Sequence, residues 1–228
     1  QELVSSKKQA DLLIGNNVLA HVPNLNEFVS SLKMILRSNG VITLEFPSLL
    51  ELIEKNQFDT IYHEHYSYFS YLTVEKIFNH HGLNLFDVEE LKTHGGSFRI
   101  YVQHQKNSDN RISESISRIK LREKKYGLDK LDSYQNFSKK VEIIKYQLRH
   151  FLTKAKKSGK SIVAYGAPAK GNTLLNYCGI GADLIDYTVD LNPHKQGRFL
   201  PGTHIPIFHP EKIKTTKPDY LLILPWNI

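Results

Sequence analysis

The sequence predicts an α/β protein in which two sheet-containing units are joined by a long helical segment. Two apolar runs, ADLLIG at 10–15 and VITLEFP at 41–47, have the continuous hydrophobicity of parallel strands that are covered on both faces. Helix-like spacing separates these runs, and a new strand–loop–helix pattern starts near residue 160. Strands that alternate with helices through short loops are the unit of a doubly wound sheet.

The first crossover is predicted from the segment between these two strands. NLNEFVSSLKMILRSNG at 24–40 places its apolar residues on one helical face, with Asn24 or Asn26 as the N-cap and Gly40 as the end. Strand, helix and strand therefore follow one another with short loops, which predicts a crossover between two parallel strands.

A second helix and a hairpin complete the first unit. The helix is predicted at 72–82, with Thr73 as its N-cap and Gly82 as its end. The segment 83–105 contains two strands joined at His94-Gly95-Gly96, which is a hairpin signal.

The second half of the chain begins with charged helices. Residues 110–159 have apolar positions at spacings of three and four, Gly127 divides the segment, and Gly159 ends it. Beyond it, residues 161–180 are predicted to start a second strand–loop–helix unit, residues 184–207 to supply a strand that ends near Asp190, and residues 218–227 to form another strand. We therefore predict a first domain at 1–108, a helical connector at 109–159 and a second domain at 160–228.

Composition restricts the class of protein. The chain has 228 residues, of which 40% are hydrophobic and 23% charged, as in ordinary globular proteins. It contains no apolar run long enough for a transmembrane helix and no signal-peptide layout at its start, so we expect no membrane partner. Its single cysteine, Cys178, excludes a disulfide framework and favours the cytoplasm.

The net charge of +7 has three interpretations. Lysine and arginine concentrate between about 118 and 160, which favours a solvated basic helix over nucleic-acid binding, because no nucleic-acid motif is present. A phosphorylated small-molecule substrate would also suit a positive surface.

We also expect a fragment of a longer protein, since the sequence starts with Gln1 and not with methionine, and DYLLILPWNI stops just past a strand.

The loop TIYHEHYSYFS at 60–70 is the most distinctive polar segment. His63-Glu64-His65 could be part of a metal site, a structural cluster or a set of proton-transfer groups. Zinc needs three or four ligands, and the sequence offers neither a cysteine cluster nor an HExxH helix, so no metal is predicted. Acid–base chemistry is favoured, because histidine titrates near neutrality and an adjacent carboxylate can orient it.

Two neighbouring residues extend this interpretation. Tyr62 could donate a hydrogen bond to a developing oxyanion. His21, in NNVLAH after the first strand, is expected at the same sheet edge as His65, where open α/β sheets bind ligands. A plain strand-to-helix turn remains the alternative for NNVLAH.

AYGAPAKGNT at 164–173 partly resembles a P-loop, but its lysine is displaced to Lys170 and Asn172 occupies the usual lysine position. A nucleoside triphosphatase is therefore not predicted. The amides of this turn could still hold a phosphate beside Lys170, or the glycines could serve only a tight turn. Asp190 follows at the distance of a dinucleotide site, although Gly-x-Gly-x-x-Gly is absent. Cys178 and Trp226 are predicted to be packing residues without a functional role.

Several motifs together resemble the S-adenosylmethionine-dependent sugar C-methyltransferases: ADLLIGNNVLAHV, GVITLEFP, YHEHYSYFS, THGGSFRIYV, VAYGAPAKGNTLLNYCGI and YTVDLNPHKQGRFLPGTHIPI. The resemblance covers essentially the whole chain. It implies the C-terminal part of a class I methyltransferase sheet, which is Rossmann-like with an antiparallel hairpin, then the helical connector and a second Rossmann-like domain. The family's zinc-binding N-terminal domain, first strands and glycine-rich cofactor loop are absent from this sequence, so zinc is expected only in that absent domain.

The resemblance also implies the chemistry. A methyl group passes from S-adenosylmethionine to C3 of a nucleotide-linked 4-keto-6-deoxysugar through an enolate. His65 is the expected base, and Glu64 is expected to orient it or to contact a substrate hydroxyl. Tyr62 and His21 are expected to stabilise the enolate. The expected cofactor-binding residues are Asn16, Asn17 and Ala20. The expected substrate-binding residues are Gly96, Ser97, Gly166, Lys170, Gly171, Asn172 and Thr173.

Two other functions remain open. The chain could be a non-catalytic α/β module that binds nucleotide-sugars. It could also be a nicotinamide-dependent sugar reductase that uses Asp190, although the glycine pattern of such a site is incomplete.

Overall fold

The computed structural model describes residues 9–107 and 110–227, which form two compact units. The first unit comprises residues 1–55 and 63–135, and the second comprises residues 56–62 and 136–228, within those described ranges.

The first unit contains a four-stranded sheet in the order β1-β2-β4-β3. Strand β1 (Ala10–Asn16) pairs in parallel with β2 (Leu36–Pro47). Strand β3 (Leu83–Leu91) and β4 (Ser97–His104) form an antiparallel hairpin, and β4 also pairs antiparallel with β2. The predicted crossover and hairpin are confirmed.

Helix α1 (Leu25–Ile35) connects β1 to β2, and Asn24 is its N-cap, because its side chain accepts from the Glu27 amide. The prediction that this helix runs to Gly40 is wrong. Strand β2 already begins at Leu36, which is fully buried and pairs with Ala10. Sheet pairing and burial of Leu36 therefore end the helix before any glycine does.

The prediction that β1 is covered on both faces is also wrong for this structure. Strand β1 lies at the edge of the described sheet, and Leu12 and Ile14 are 52% and 68% exposed. The prediction holds better for β2, in which Ile42, Leu44 and Phe46 are buried.

Two helices follow β2: α2 (Leu49–Glu54) and α3 (Tyr71–His80). The predicted Thr73 cap of α3 is wrong, because Ser70 is the N-cap and its hydroxyl accepts from the Thr73 amide at 3.2 Å. The fully buried Glu123 carboxylate also accepts from the amides of Tyr71 at 2.7 Å and Leu72 at 3.0 Å. Two unpaired amides at the helix start are thereby satisfied by a side chain from elsewhere in the unit.

The helical segment consists of α4 (Glu114–Tyr126) and α5 (Leu131–Lys157). Gly127 separates them in a left-handed conformation with φ of 85°, as the sequence predicts. The division between the two compact units falls within α5. The predicted three-domain boundaries stay a prediction.

The second unit contains a four-stranded parallel sheet in the order β7-β6-β5-β8. Its strands are β5 (Ile162–Tyr165), β6 (Thr188–Val189), β7 (Ile207–Phe208) and β8 (Tyr220–Ile223). Helices α6 (Ala169–Cys178) and α7 (Glu211–Thr216) accompany it. The predicted α/β class, with two sheets and a helical segment between them in sequence, is confirmed.

Residues 56–62 belong to this second unit although they precede the rest of it by more than seventy positions. Phe58 is buried in the core beside residues of α5 and α6, and its ring lies 5.2 Å from that of Tyr177. Cys178 is fully buried in the same core, as predicted. In the part of the chain that the structure describes, no helix is both long and apolar enough to cross a membrane.

Candidate active site

The carboxyl ends of β1 and β2 lie side by side in the first unit. Asn16 pairs with Glu45 in the parallel register, and the Asn17 amide donates to the Glu45 carbonyl oxygen at 2.7 Å. Asn17 has a left-handed backbone with φ of 55°, and the 3₁₀ turn Leu19–His21 follows. Asn16 is exposed at this edge, whereas Ala20 is buried in the turn. Binding of a cofactor by these residues stays a prediction.

The structure brings His21 and His65 together. Their ring centroids are 4.8 Å apart, and the Tyr68 ring lies 5.6 Å from His65 at a nearly perpendicular angle. His21 Nδ1 lies 2.8 Å from the carbonyl oxygen of Glu64. Because a carbonyl oxygen only accepts, Nδ1 carries a proton and donates, which fixes the orientation of the ring.

Backbone hydrogen bonds hold the loop beside this turn. The Ala20 carbonyl oxygen accepts from the Tyr66 amide at 2.8 Å and from the Ser67 amide at 3.3 Å. Residues 64–67 are therefore tied to the 3₁₀ turn through both their main chain and the His21 ring. The contact through the Glu64 carbonyl was not predicted, because sequence reasoning considered only its carboxylate.

The predicted roles within this loop are not decided by these contacts. The Glu64 side chain is exposed, and Tyr62 belongs to the second unit. Proton transfer by His65, the orienting role of Glu64, and enolate contacts from Tyr62 and His21 stay predictions. Among the described residues, no three histidine, cysteine, aspartate or glutamate side chains form a group that could hold a metal ion.

A buried carboxylate supports this sheet edge. Glu45 is 5% exposed, and its two oxygens accept from the Thr93 hydroxyl and from Arg99, each at 2.8 Å. Burial acts to raise the pKa of Glu45, but the hydrogen bonds from Thr93 and Arg99 outweigh it and leave that pKa below its ordinary value. Sequence reasoning missed this residue, although a glutamate within the apolar run VITLEFP was a visible signal.

Gly96 and Ser97 shape the neighbouring hairpin turn. Gly96 has φ of 131°, and a Cβ there would lie 2.6 Å from Cγ of Glu51, so glycine is required. The buried Ser97 hydroxyl donates to the Thr93 carbonyl oxygen at 3.0 Å. These contacts are internal to the turn, and substrate binding by Gly96 and Ser97 stays a prediction.

In the second unit, the AYGAPAKGNT turn joins β5 to α6. Gly166 has φ of 89°, and a Cβ would lie 2.7 Å from Cδ of Pro225. A Cβ on Gly171 would lie 2.7 Å from Cβ of Leu224, so the helix packs very closely on the end of β8. Both positions therefore require glycine, because a larger side chain would collide with the residues that follow β8.

The polar residues of this turn differ in their contacts. The Thr173 hydroxyl donates to the Ala169 carbonyl oxygen at 3.2 Å, and the Asn172 amide donates to the Pro168 carbonyl oxygen at 3.1 Å. Lys170 Nζ lies 5.1 Å from the centre of the Trp226 ring, and burial lowers the pKa of Lys170. A partly desolvated ammonium such as that of Lys170 is well suited to bind an anion. Binding of substrate by this turn stays a prediction.

Trp226 does more than pack, contrary to the sequence prediction. Its indole nitrogen donates to Asp59 Oδ2 at 2.6 Å. Burial raises the pKa of Asp59, although the indole bond and the charge of Lys170 act in the opposite direction.

Asp190 is occupied by contacts within its own unit. Its carboxylate accepts from the Ala167 amide at 2.8 Å, from the Asn192 amide at 2.8 Å and from Lys195 at 3.2 Å. Burial acts to raise its pKa, but these bonds hold it below the ordinary value. The carboxylate that a nicotinamide ribose would need is thus already bonded to protein groups.

Known proteins match the chain over most of its length. The family described as C-methyltransferase C-terminal domain matches residues 92–228, and a family described as methyltransferase domain matches residues 1–88. The C-methyltransferase NovU of Streptomyces niveus is 35% identical over 227 residues, which are 100% of this chain and 54% of NovU. The chain therefore spans about half the length of this curated relative.

Solved structures are less similar. Magnesium protoporphyrin IX methyltransferase of Synechocystis PCC 6803, with bound SAH, is 18% identical, with a TM-score of 0.35 over 45% of this chain and 48% of its own. The PH0226 protein of Pyrococcus horikoshii OT3 is 14% identical, also with a TM-score of 0.35, over 42% of this chain and 52% of its own. Likenesses of this size do not bear on function.

Proposed function

The chain belongs to the C-methyltransferase family, and from that premise we propose that it takes part in methylation of a sugar carbon by S-adenosylmethionine. The proposed substrate is a nucleotide-linked 4-keto-6-deoxysugar, and the proposed site of methylation is C3, beside the ketone. The observation that carries this proposal is the pair of histidines, His21 and His65, at the carboxyl edge of β1 and β2.

The ketone makes the proposed reaction accessible to an imidazole. A C–H bond next to a carbonyl is acidified, and a histidine near neutrality is a suitable base. In the proposed step His65 takes the C3 proton, the electron pair of that C–H bond forms the C3–C4 double bond, and the π pair of the carbonyl moves onto the C4 oxygen, which gives the enolate. His21 is the proposed hydrogen-bond donor to that oxygen, and the role expected of Tyr62 stays a prediction.

S-adenosylmethionine, when bound, supplies an electrophilic methyl carbon: C3 forms a bond to it, and the carbon–sulfur bond breaks with its electron pair left on sulfur. The exposed Asn16 and the Asn17 carboxamide at this edge suit the polar amino-acid and ribose groups of such a donor. Their proposed task is to hold the donor beside the histidine pair.

The contacts of His21 favour a second assignment of the base. With Nδ1–H donating to the Glu64 carbonyl oxygen, an uncharged His21 has its lone pair on Nε2, which is the arrangement of an oriented base. As an enolate donor, His21 would instead have to carry a proton on both nitrogens. His21 as base and His65 as donor is therefore the second candidate.

Hydrogen exchange at C3 distinguishes the two. We expect His65→Asn to abolish exchange of the C3 hydrogen with deuterated solvent in the enzyme, while His21→Asn slows it by about a hundredfold, in line with the loss of an oxyanion donor. The reverse order would identify His21 as the base. His80→Asn, at the exposed end of α3, is the matched control. Unchanged exchange in both site variants would disprove the proposal.

Nucleotide binding is proposed for the turn around Lys170 in the second unit. A helix start beside a half-buried ammonium is suited to a diphosphate. The proposed partner is thus a small nucleotide-sugar, without nucleic acid or membrane, in the cytoplasm. A non-catalytic binding module would be supported instead if a nucleoside diphosphate raised the melting temperature and S-adenosylmethionine did not.

A further inference from the structure

Asn17 and His94 contact each other through their side chains, although they are 77 positions apart. Asn17 Nδ2 lies 3.2 Å from His94 Nε2. A carboxamide nitrogen can only donate, so the ring nitrogen accepts, and the ring proton is on Nδ1. The contact therefore fixes both the orientation of the carboxamide and the tautomer of the imidazole.

Both residues have left-handed backbone conformations, which are uncommon for residues other than glycine. Asn17 has φ of 55° and His94 has φ of 54°, in the left-handed region. Gly95 and Gly96, which follow His94, also have positive φ, and there the chain uses the residue that tolerates it. At His94 this conformation coincides with a side-chain contact to a distant carboxamide, and residues in uncommon backbone conformations cluster at functional sites.

A single residue holds both ends of this contact. The Glu45 carbonyl oxygen accepts from the Asn17 amide at 2.7 Å, and a carboxylate oxygen of Glu45 accepts from the Thr93 hydroxyl at 2.8 Å. Asn17 itself and Thr93, the neighbour of His94, are therefore both anchored to Glu45 at the end of β2, the first through its main-chain carbonyl and the second through its buried carboxylate. The carboxamide is held in place before any ligand arrives.

We infer that His94 is a positioning residue for ligand binding by Asn17. Since Nδ2 donates one of its two hydrogens to His94, the contact sets the direction in which Oδ1 points. Oδ1 can then accept from ligand groups that donate hydrogen bonds, such as an ammonium or a ribose hydroxyl. This inference rests on the proposed function, in which Asn17 contacts the methyl donor, whose amino-acid and ribose parts carry such groups.

Glycine substitution separates the side chain from the backbone. His94→Gly should keep or increase the melting temperature, because glycine accepts positive φ without strain. It should weaken binding of S-adenosylhomocysteine about tenfold, the effect of one lost hydrogen bond that positions a ligand contact. His204→Gly is the matched control, since His204 is exposed, lies in the second unit and also has φ of 54°. His94→Gln, whose amide oxygen can accept from Asn17, should restore most of the affinity.

A second measurement does not depend on the methyl donor. Nitrogen-15 NMR should show His94 as the Nδ1–H tautomer, and Asn17→Ala should convert it to the Nε2–H form. An Nε2–H ring in the unsubstituted chain, or equal S-adenosylhomocysteine affinity of His94→Gly and His204→Gly, would overturn the inference. If the unsubstituted chain bound no S-adenosylhomocysteine, the tautomer of His94 would still decide whether the Asn17–His94 pair exists.

Discussion

Trp226 donates its indole N–H to the carboxylate of Asp59 across 2.6 Å, and this bond joins residues 167 positions apart within the second unit. Asp59 is 4% exposed and lies in the 3₁₀ turn Phe58–Thr60, so the bond secures the 56–62 segment to the end of the chain. Tyr62 and the histidine loop follow directly in sequence. Since Trp226 is the single tryptophan, tryptophan fluorescence reports the surroundings of this one indole.

We expect the emission maximum of Trp226 to move to longer wavelength in Asp59→Ala, because the indole loses its buried acceptor and becomes hydrated. Asp59→Asn keeps an oxygen that can accept from the indole, so its emission should remain close to that of the unsubstituted chain. The comparison is made by steady-state fluorescence at neutral pH. Identical spectra for all three proteins would show that the contact does not form in solution.

The pKa of Asp59 makes stability depend on pH. Burial raises that pKa in the folded state, so the folded chain binds the proton more tightly than the unfolded chain does. The contribution of Asp59 to stability is therefore full below its unfolded pKa and declines as pH rises through its folded pKa. Asp59→Asn should gain stability relative to the unsubstituted chain as pH rises above about 4. Denaturant unfolding at several pH values measures this difference, and a difference independent of pH would contradict it.

Glu45 should have the opposite pH dependence. Its pKa is lowered in the folded state, so its contribution is present above the unfolded pKa and is lost as pH falls through the folded pKa. We expect Glu45→Gln to lower the free energy of unfolding by about 1–3 kcal/mol at neutral pH, because a buried charged acceptor is lost. The deficit should shrink in acid.

Glu89→Gln is the matched control for Glu45→Gln. Glu89 also pairs with Arg99, at 3.5 Å, but its side chain is 46% exposed. We expect a change below about 0.5 kcal/mol, as for most exposed ion pairs. Equal effects of the two substitutions would mean that burial of Glu45 does not matter for its pairing.

Lys170 offers a test of nucleotide binding. We expect Lys170→Met to weaken thymidine diphosphate binding about tenfold, because one charge-assisted contact is lost while the aliphatic packing on Trp226 remains. Quenching of Trp226 fluorescence measures the affinity. Lys160→Met, which removes an exposed lysine paired with Asp219, is the control. Full affinity in Lys170→Met would place the diphosphate elsewhere.

The local patterns were sufficient for most of the framework. Apolar periodicity predicted the β1–α1–β2 crossover and the hairpin, and the rule that ligands bind at strand ends led us to expect His21 near His65. The end of α1 was not predictable from local sequence, because it depends on the pairing of Leu36 with Ala10 and of Val41 with Leu12 in the distant strand β1.

The missed contacts are those that depend on distant partners. Glu45 accepts hydrogen bonds from Thr93 and Arg99, which lie 48 and 54 positions away in the sequence. Asp59 accepts from Trp226, which lies 167 positions away. No periodicity in a single sequence encodes such pairings, because they arise only when the sheets have formed. His94 was noted as part of a hairpin signal, but its side-chain partner depended on the same tertiary arrangement.

Helix α3 begins immediately after the histidine loop, and its first amides are capped by Glu123 from α4. The Glu123 cap therefore limits where the chain can be shortened. A domain excised at 107, or cleaved by a protease before Glu114, would lose the acceptor for those amides and would fray at the point where the loop is anchored. Shortened versions intended for crystallography or screening should therefore retain α4, even though it lies outside the sheet.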